Sequence, residues 1–348
     1  MTVSATRLTL ATLRIRRALR KHFFASEKML ESKIAEAGPF NQRCNPHVVS
    51  QALTNMVNSR EVLVELGPNN EGKFYYLANF FDTSKAAHVR RREEVLNLYK
   101  EYRLLTFQRK PNVCGDALES IIWKALSDTD CFLPLGKQGA PLSVFGNIVL
   151  PGHLDIVLVS KTTPPFAALI EAKNIREWLY PSSVELWQLI HKSLVFLEAG
   201  YPTVPIIVCR KIQYSTRLLF KKIGLLGAET HRQYFSPTVE SRLEGIKHKD
   251  GLGFHDISCS ESPPKWLAPF FGKTVTRLAG DCSSTFQSRS DVLLRHAEIL
   301  SSNLSGSQRI RQWKSFCSDL AHDHEYSEDL TEDEVDYTGA EDSFDDFN

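Results

Sequence analysis

The sequence has no run of about eighteen apolar residues, the length that a membrane-crossing helix needs, so no such helix is expected. It has no Cys-x-x-Cys pair. Its seven cysteines stand singly at 44, 114, 131, 209, 259, 282 and 317. An odd, scattered set argues against a disulfide framework and against a zinc ribbon. It points to a reducing compartment, read here as the cytoplasm. The Gly-x-Ser-x-Gly elbow of serine hydrolases is missing. Gly136, Lys137, Gln138 and Gly139 lack P-loop spacing, so they give no nucleotide site. No internal repeat is found.

Charge of one sign is missing at each end. No acid precedes Glu27, whereas Arg7, Arg14, Arg16, Arg17, Arg20 and Lys21 do. Such a start can be an organelle leader; here it reads as a first helix whose basic face is solvated or touches phosphate. Residues 323–348 hold no Lys or Arg and twelve of the 41 acids. The formal net charge of +1 therefore hides a body, residues 1–322, with 42 basic against 29 acidic side chains, or +13. A body so basic suits a polyanion, and the acidic tail, expected to be disordered, could lie in the protein's own basic groove. At 348 residues, with average apolar and charged content, the chain is long enough for two globular domains.

Residues 8–24, 25–37 and 45–60 read as three helices. In the third, Asn45 can cap and Pro46 sits in the first turn. Val49, Ala52, Leu53, Met56 and Val57 make one apolar face. Gln51, Thr54, Asn55 and Asn58 make the other, with short polar groups able to reach bases or phosphates. Two β-rich runs follow, Val62–Leu66 and Phe74–Leu77, around a turn from Gly67 to Gly72. Helix, helix, helix, hairpin resembles the winged-helix family, and the resemblance implies DNA contact through Gln51, Thr54, Asn55, Asn58 and Lys73. The expected division is 1–82 for this domain, a helical linker over 83–111, a core over 112–262, a helical extension over 263–322 and the tail over 323–348. The extension is expected to hold two helices, near 288–302 and 306–320.

The core carries the chemistry. Asn147–Val159 and Phe166–Lys173 read as adjacent antiparallel strands joined by a turn. Asp155, Glu171 and Lys173 interrupt them. Alternation puts Glu171 and Lys173 on one face. Charges near a core are costly unless they pair or hold a metal. Upstream, residues 115–126 read as a helix with Glu119 at the edge of its apolar side. Downstream, residues 184–200 read as a nearly all-apolar helix with Gln188, His191, Lys192 and Val195 in one stripe. A buried strand follows at 204–210, then a helix Ser215–Leu226 and a possible last strand, Thr230–Phe235. Helix between strands suggests a parallel pairing, so the sheet is expected to be mixed, with helices on both faces.

Asp155 followed after a hairpin by Glu171, Ala172 and Lys173 resembles the signature of the PD-(D/E)XK, or restriction-endonuclease-like, nuclease superfamily. The Pro usual before the Asp is Leu154 here. Glu119 matches the family's first-helix Glu and Gln188 its later helix Gln. The Tyr that follows in RecB-like members is Lys192 here, which argues against that subgroup. The resemblance implies an α/β fold of the restriction-endonuclease type and Mg²⁺ (or Mn²⁺) held by Asp155, Glu171, the Ala172 carbonyl and Glu119. It also implies Lys173 acting on the attacking water and 5′-phosphate products. The layout is similar to that of Mrr-type restriction enzymes, which suggests phage defence, DNA as partner and a possible homodimer for double-strand cutting. The alternatives are a winged-helix regulator or assembly factor with an inert nuclease-like domain, and a structure-specific repair or recombination nuclease.

Overall fold

The computed structural model describes residues 5–36, 44–67, 72–79, 85–107, 112–140 and 142–322. The acidic tail lies outside the described residues, and with it the expectation that it folds back on the body.

Ala11, Ile15 and Leu19 recur every four residues and bury one side of helix α1 (Ala5–His22). A two-residue strand β1 (Ala25–Ser26) leads into α2 (Glu27–Ala35), where the Ser26 hydroxyl caps by accepting from the Met29 N–H at 3.2 Å. Helix α3 (Pro46–Asn58) starts on its proline, as expected. Strands β2 (Val62–Leu66) and β3 (Lys73–Leu77) form the expected hairpin and add β1, giving an antiparallel sheet of order β1-β3-β2. Ile15, Leu30, Val49, Leu53 and Val62 share the core of this unit. Arg16 braces α1 against the end of α3 through a two-pronged pair with Glu61, at 2.5 and 2.9 Å.

Helix α4 (Lys85–Phe107) was expected as a charged connector, and it is more than that. Its Val95, Tyr99, Tyr102 and Leu105 are buried with Phe24 and Phe74 of the first unit and with Phe235, Leu243 and Phe254 further on. The helix mortars the two halves together.

The second half is built on a five-stranded mixed sheet of order β10-β9-β8-β7-β4. After α5 (Gly115–Ser127) come β4 (Phe132–Leu135), β5 (Leu142–Phe145), β6 (Ile148–Leu154), β7 (Ile156–Ser160) and β8 (Ala167–Lys173). Then follow α6 (Val184–Glu198), β9 (Thr203–Cys209), α7 (Tyr214–Ile223) and β10 (Leu226–Glu229). Strands β4, β7 and β8 are antiparallel neighbours; β8, β9 and β10 run parallel, as the intervening helices require. Every residue of β9 is buried, which fits its place between two strands and two helical layers. Val157, Leu169 and Ile207 face α6; Ile156, Ile170 and Ile206 face α5.

Three expectations are corrected. Asn147–Val159 is not one strand: β6 pairs with β5 in a separate hairpin, β7 joins the main sheet, and the break falls at Asp155. Thr230–Phe235 is not the last strand of the sheet. That edge is β10, and only β11 (Gln233–Tyr234) pairs beyond it, parallel to β12 (Ile257–Ser258), across the short helix α8 (Glu240–Lys247). Between the core and the two expected helices, α10 (Ser290–Ser301) and α11 (Gly306–His322), lies an unexpected one. A π-helical turn over Phe270–Val275 runs into α9 (Thr276–Ser288), burying Phe271, Val275 and Ala279 on the α5 side of the sheet and Phe286 on the other.

The first unit docks just past the ends of β8 and β9. Arg210 is 1% exposed and donates to both Glu36 oxygens at 2.8 Å and to Asp256 at 2.7 Å. Arg176, three residues after Lys173, pairs with the same Asp256 and stacks 3.9 Å over the Phe254 ring. The Trp178 indole donates to Glu36 at 3.0 Å.

Candidate active site

Strand alternation turns Glu171 and Lys173 toward α6, as the sequence requires. Ile156 pairs with Ile170 in antiparallel register, so one step further Asp155 lies opposite Glu171, at the break between β6 and β7. The Ala172 N–H donates to Asp155 Oδ2 at 2.7 Å. In an extended strand the N–H and C=O of one residue point to the same side. The Ala172 carbonyl therefore faces Asp155, past the last paired residue of β7.

Glu171 is 4% exposed and bound at both oxygens. Lys173 Nζ lies 2.8 Å from Oε1, and Lys192 Nζ lies 3.0 Å from Oε2. Lys192 also donates to the His153 carbonyl. Sequence reasoning placed Lys192 in the stripe of α6 but left it out of the site. The signal was there: a lysine flanked by Leu189, Ile190, Ser193 and Leu194, all buried, must find an acid inside the fold.

The electrostatics are those of two acids and two ammoniums packed together. Burial, then the negative charge of Glu171, pushes the Asp155 carboxyl up to about 6, while the Ala172 N–H and Lys173 pull it back in part. Burial disfavours the Lys173 ammonium, yet Glu171 and Asp155 outweigh it and hold its pKa above the ordinary lysine value.

The other expected residues are placed as follows. Glu119 is near enough to add to the upward push on Asp155, but its carboxylate already accepts from the Gly139 N–H at 2.9 Å and the Trp123 indole at 3.3 Å. It ties down the loop before β5. Gln188 is half-buried one turn before Lys192 on the same stripe of α6. Gln51, Thr54, Asn55 and Asn58 are all exposed along one side of α3, and Lys73 is exposed at the start of β3. Gln51 donates to Asn55 at 3.0 Å and Thr54 to the Ser50 carbonyl at 2.9 Å, so three of the four are engaged within the helix.

Among the described residues no three His, Cys, Asp or Glu side chains converge as a metal cage. The donors on hand for a hard cation are Asp155, the Ala172 carbonyl and whichever Glu171 oxygen an ammonium releases. That is oxygen chemistry, which suits a hard divalent cation such as Mg²⁺ or Mn²⁺. No helix among the described residues is long and apolar enough to cross a membrane, and all seven cysteines are free. Comparison of the chain with models of protein families, with curated proteins and with solved structures finds no match.

Proposed function

We propose that the chain is a metal-dependent nuclease that hydrolyses phosphodiester bonds in DNA, with a core of the restriction-endonuclease type behind a winged-helix unit. The observation that carries the reading is the meeting of Asp155, Glu171 and Lys173 at the end of β8, where Asp155 and Lys173 are partly exposed and Glu171 is buried. The helix and strand order of the first unit, and its exposed polar face on α3, support a DNA contact there. The mixed sheet between helices supports the core assignment.

Asp155 and the Ala172 carbonyl would hold the cation. When bound, it lowers the pKa of a water and offsets charge on the phosphoryl group. Lys173 keeps its proton and points its ammonium at the cluster, where it orients the attacking water or meets the charge that develops on a phosphate oxygen. Lys192 fixes the Glu171 carboxylate, and Glu119 holds the Gly139 loop beside Asp155. A role in restriction or phage defence rests on the Mrr-like layout and is analogy.

A second reading, a DNA-binding regulator with an inert nuclease-like domain, draws on one specific feature: both Glu171 oxygens are already paired. A substrate panel separates the two. Wild type and Lys173→Ala are incubated with Mg²⁺ and plasmid, linear duplex, single-stranded DNA or RNA. Cleavage of DNA by wild type, reduced about 100-fold or more in the variant, is expected. Cutting of branched DNA alone would point to a repair nuclease, and equal cutting by both proteins removes Lys173 from the chemistry.

A further inference from the structure

Lys192 is the least expected charge in the molecule. It sits on a helix among the buried Leu189, Ile190, Ser193 and Leu194, and its own side chain is 5% exposed, as is that of Glu171. A Met or Leu would fill the space with no charge to compensate. The ammonium instead reaches Glu171 Oε2 at 3.0 Å and the His153 carbonyl, while Lys173 holds Oε1 at 2.8 Å. Gly152, at φ +114°, lies beside Lys192, where a Cβ would stand 3.8 Å from Lys192 Cε. Two carboxylates, Asp155 and Glu171, thus face two ammoniums before any ion arrives.

We propose that Lys192 is a built-in cation: it occupies the Glu171 oxygen that a second divalent ion would need, and so limits the pocket to one divalent ion per chain. The inference rests on the nuclease reading of the same site. Lys192 acts through Glu171, so it is a positioning residue, and its effect is on how many ions bind.

The test is a Mn²⁺ titration of the full chain followed by electron paramagnetic resonance of the free ion, on wild type, Lys192→Met and Lys192→Arg. Wild type and the arginine variant are expected to bind one ion. The methionine variant, with Oε2 released, is expected to bind a second ion or to bind the first at least tenfold more tightly. Two ions on wild type, or a methionine variant within threefold of wild type in affinity and equal in number, overturns the inference. If the methionine variant does not fold, the wild-type count decides alone, with one ion upholding the inference and none or two rejecting it. Plasmid cleavage is scored in parallel. A wild type that binds one ion and cuts nothing removes the nuclease reading and leaves the one-ion pocket standing. A wild type that binds no ion overturns the one-ion pocket, whatever the methionine variant binds.

Discussion

A carboxylate inside a fold needs a partner for each oxygen, and Glu171 has found two lysines from two different elements. Removing its charge strands both ammoniums. Glu171→Gln is therefore expected to lower unfolding stability by about 3–5 kcal/mol, read by urea denaturation. The residue beside the cluster is as closely held. Asn174 follows Lys173, is 8% exposed, donates to the Cys114 and Tyr234 carbonyls at 2.6 and 2.5 Å and accepts from the Tyr234 N–H at 2.9 Å. Asn174→Ala leaves the Tyr234 N–H and carbonyl without these bonds and the Cys114 carbonyl with only the Ala117 N–H, so a loss of about 2–3 kcal/mol is expected in the same assay. At this scale much of the site was legible. Charges within β-branched runs marked Asp155, Glu171 and Lys173, because an apolar strand does not carry them idly. Lys192 was equally visible in the α6 stripe, but it was read only as standing where RecB-like members have Tyr, not as a member of the cluster. That Glu119 spends its carboxylate on Gly139 was not legible, since a loop's backbone N–H leaves no mark in the sequence.

Helices and strands with a clean period were found at nearly their true bounds: α1, α3, the β2–β3 hairpin, β8, α6 and β9. The break at Asp155 was missed because the run from Ile148 to Ser160 is β-rich on both sides, and a strand that changes sheets keeps its pattern. The helix over 267–288 was missed for the opposite reason. Pro269, Gly272, Gly280 and a Thr-Val-Thr run all argue against helix locally, and burial of Phe271, Val275 and Phe286 overrides them. Contact with this helix explains Gly224. It ends α7 at φ +72°, and a Cβ would come within 2.1 Å of the Cys282 carbonyl oxygen and 2.6 Å of the Phe286 nitrogen. Gly224→Ala combines backbone strain with a clash against backbone. A loss of about 3 kcal/mol or more is expected, seen as a lower melting temperature.

Across the whole molecule, the sequence suggested a charged helical linker over 83–111, and α4 lies there and also packs against both halves. The buried stripe of α4 was not legible because its aromatic residues are diluted among arginines and glutamates. The junction adds Glu36, Arg210, Asp256 and Arg176, none of them a sequence neighbour of another. Burial alone would raise the Glu36 carboxyl, but Arg210, through its charge and its hydrogen bonds, takes it down to about 2. A depressed carboxyl stabilises the fold above its unfolded value of 4.5, and that stabilisation is lost as pH falls through about 2. Glu36→Gln is therefore expected to destabilise the protein by about 3 kcal/mol at pH 7, with the gap to wild type closing between about pH 4.5 and 2 in a melting series. Because this junction begins three residues after Lys173, the unit that carries α3 is fixed against the strand that carries the cluster.

On the proposed reading, the cluster at the end of β8 breaks phosphodiester bonds with a hard cation. The most direct test is the rate of supercoiled plasmid nicking with Mg²⁺ present and then chelated, for wild type and for Asp155→Asn purified in parallel. Nicking by wild type that stops on chelation, and falls about 100-fold or more in the variant, is the expected result. Nicking that survives chelation, or runs at the same rate in the variant, would contradict it.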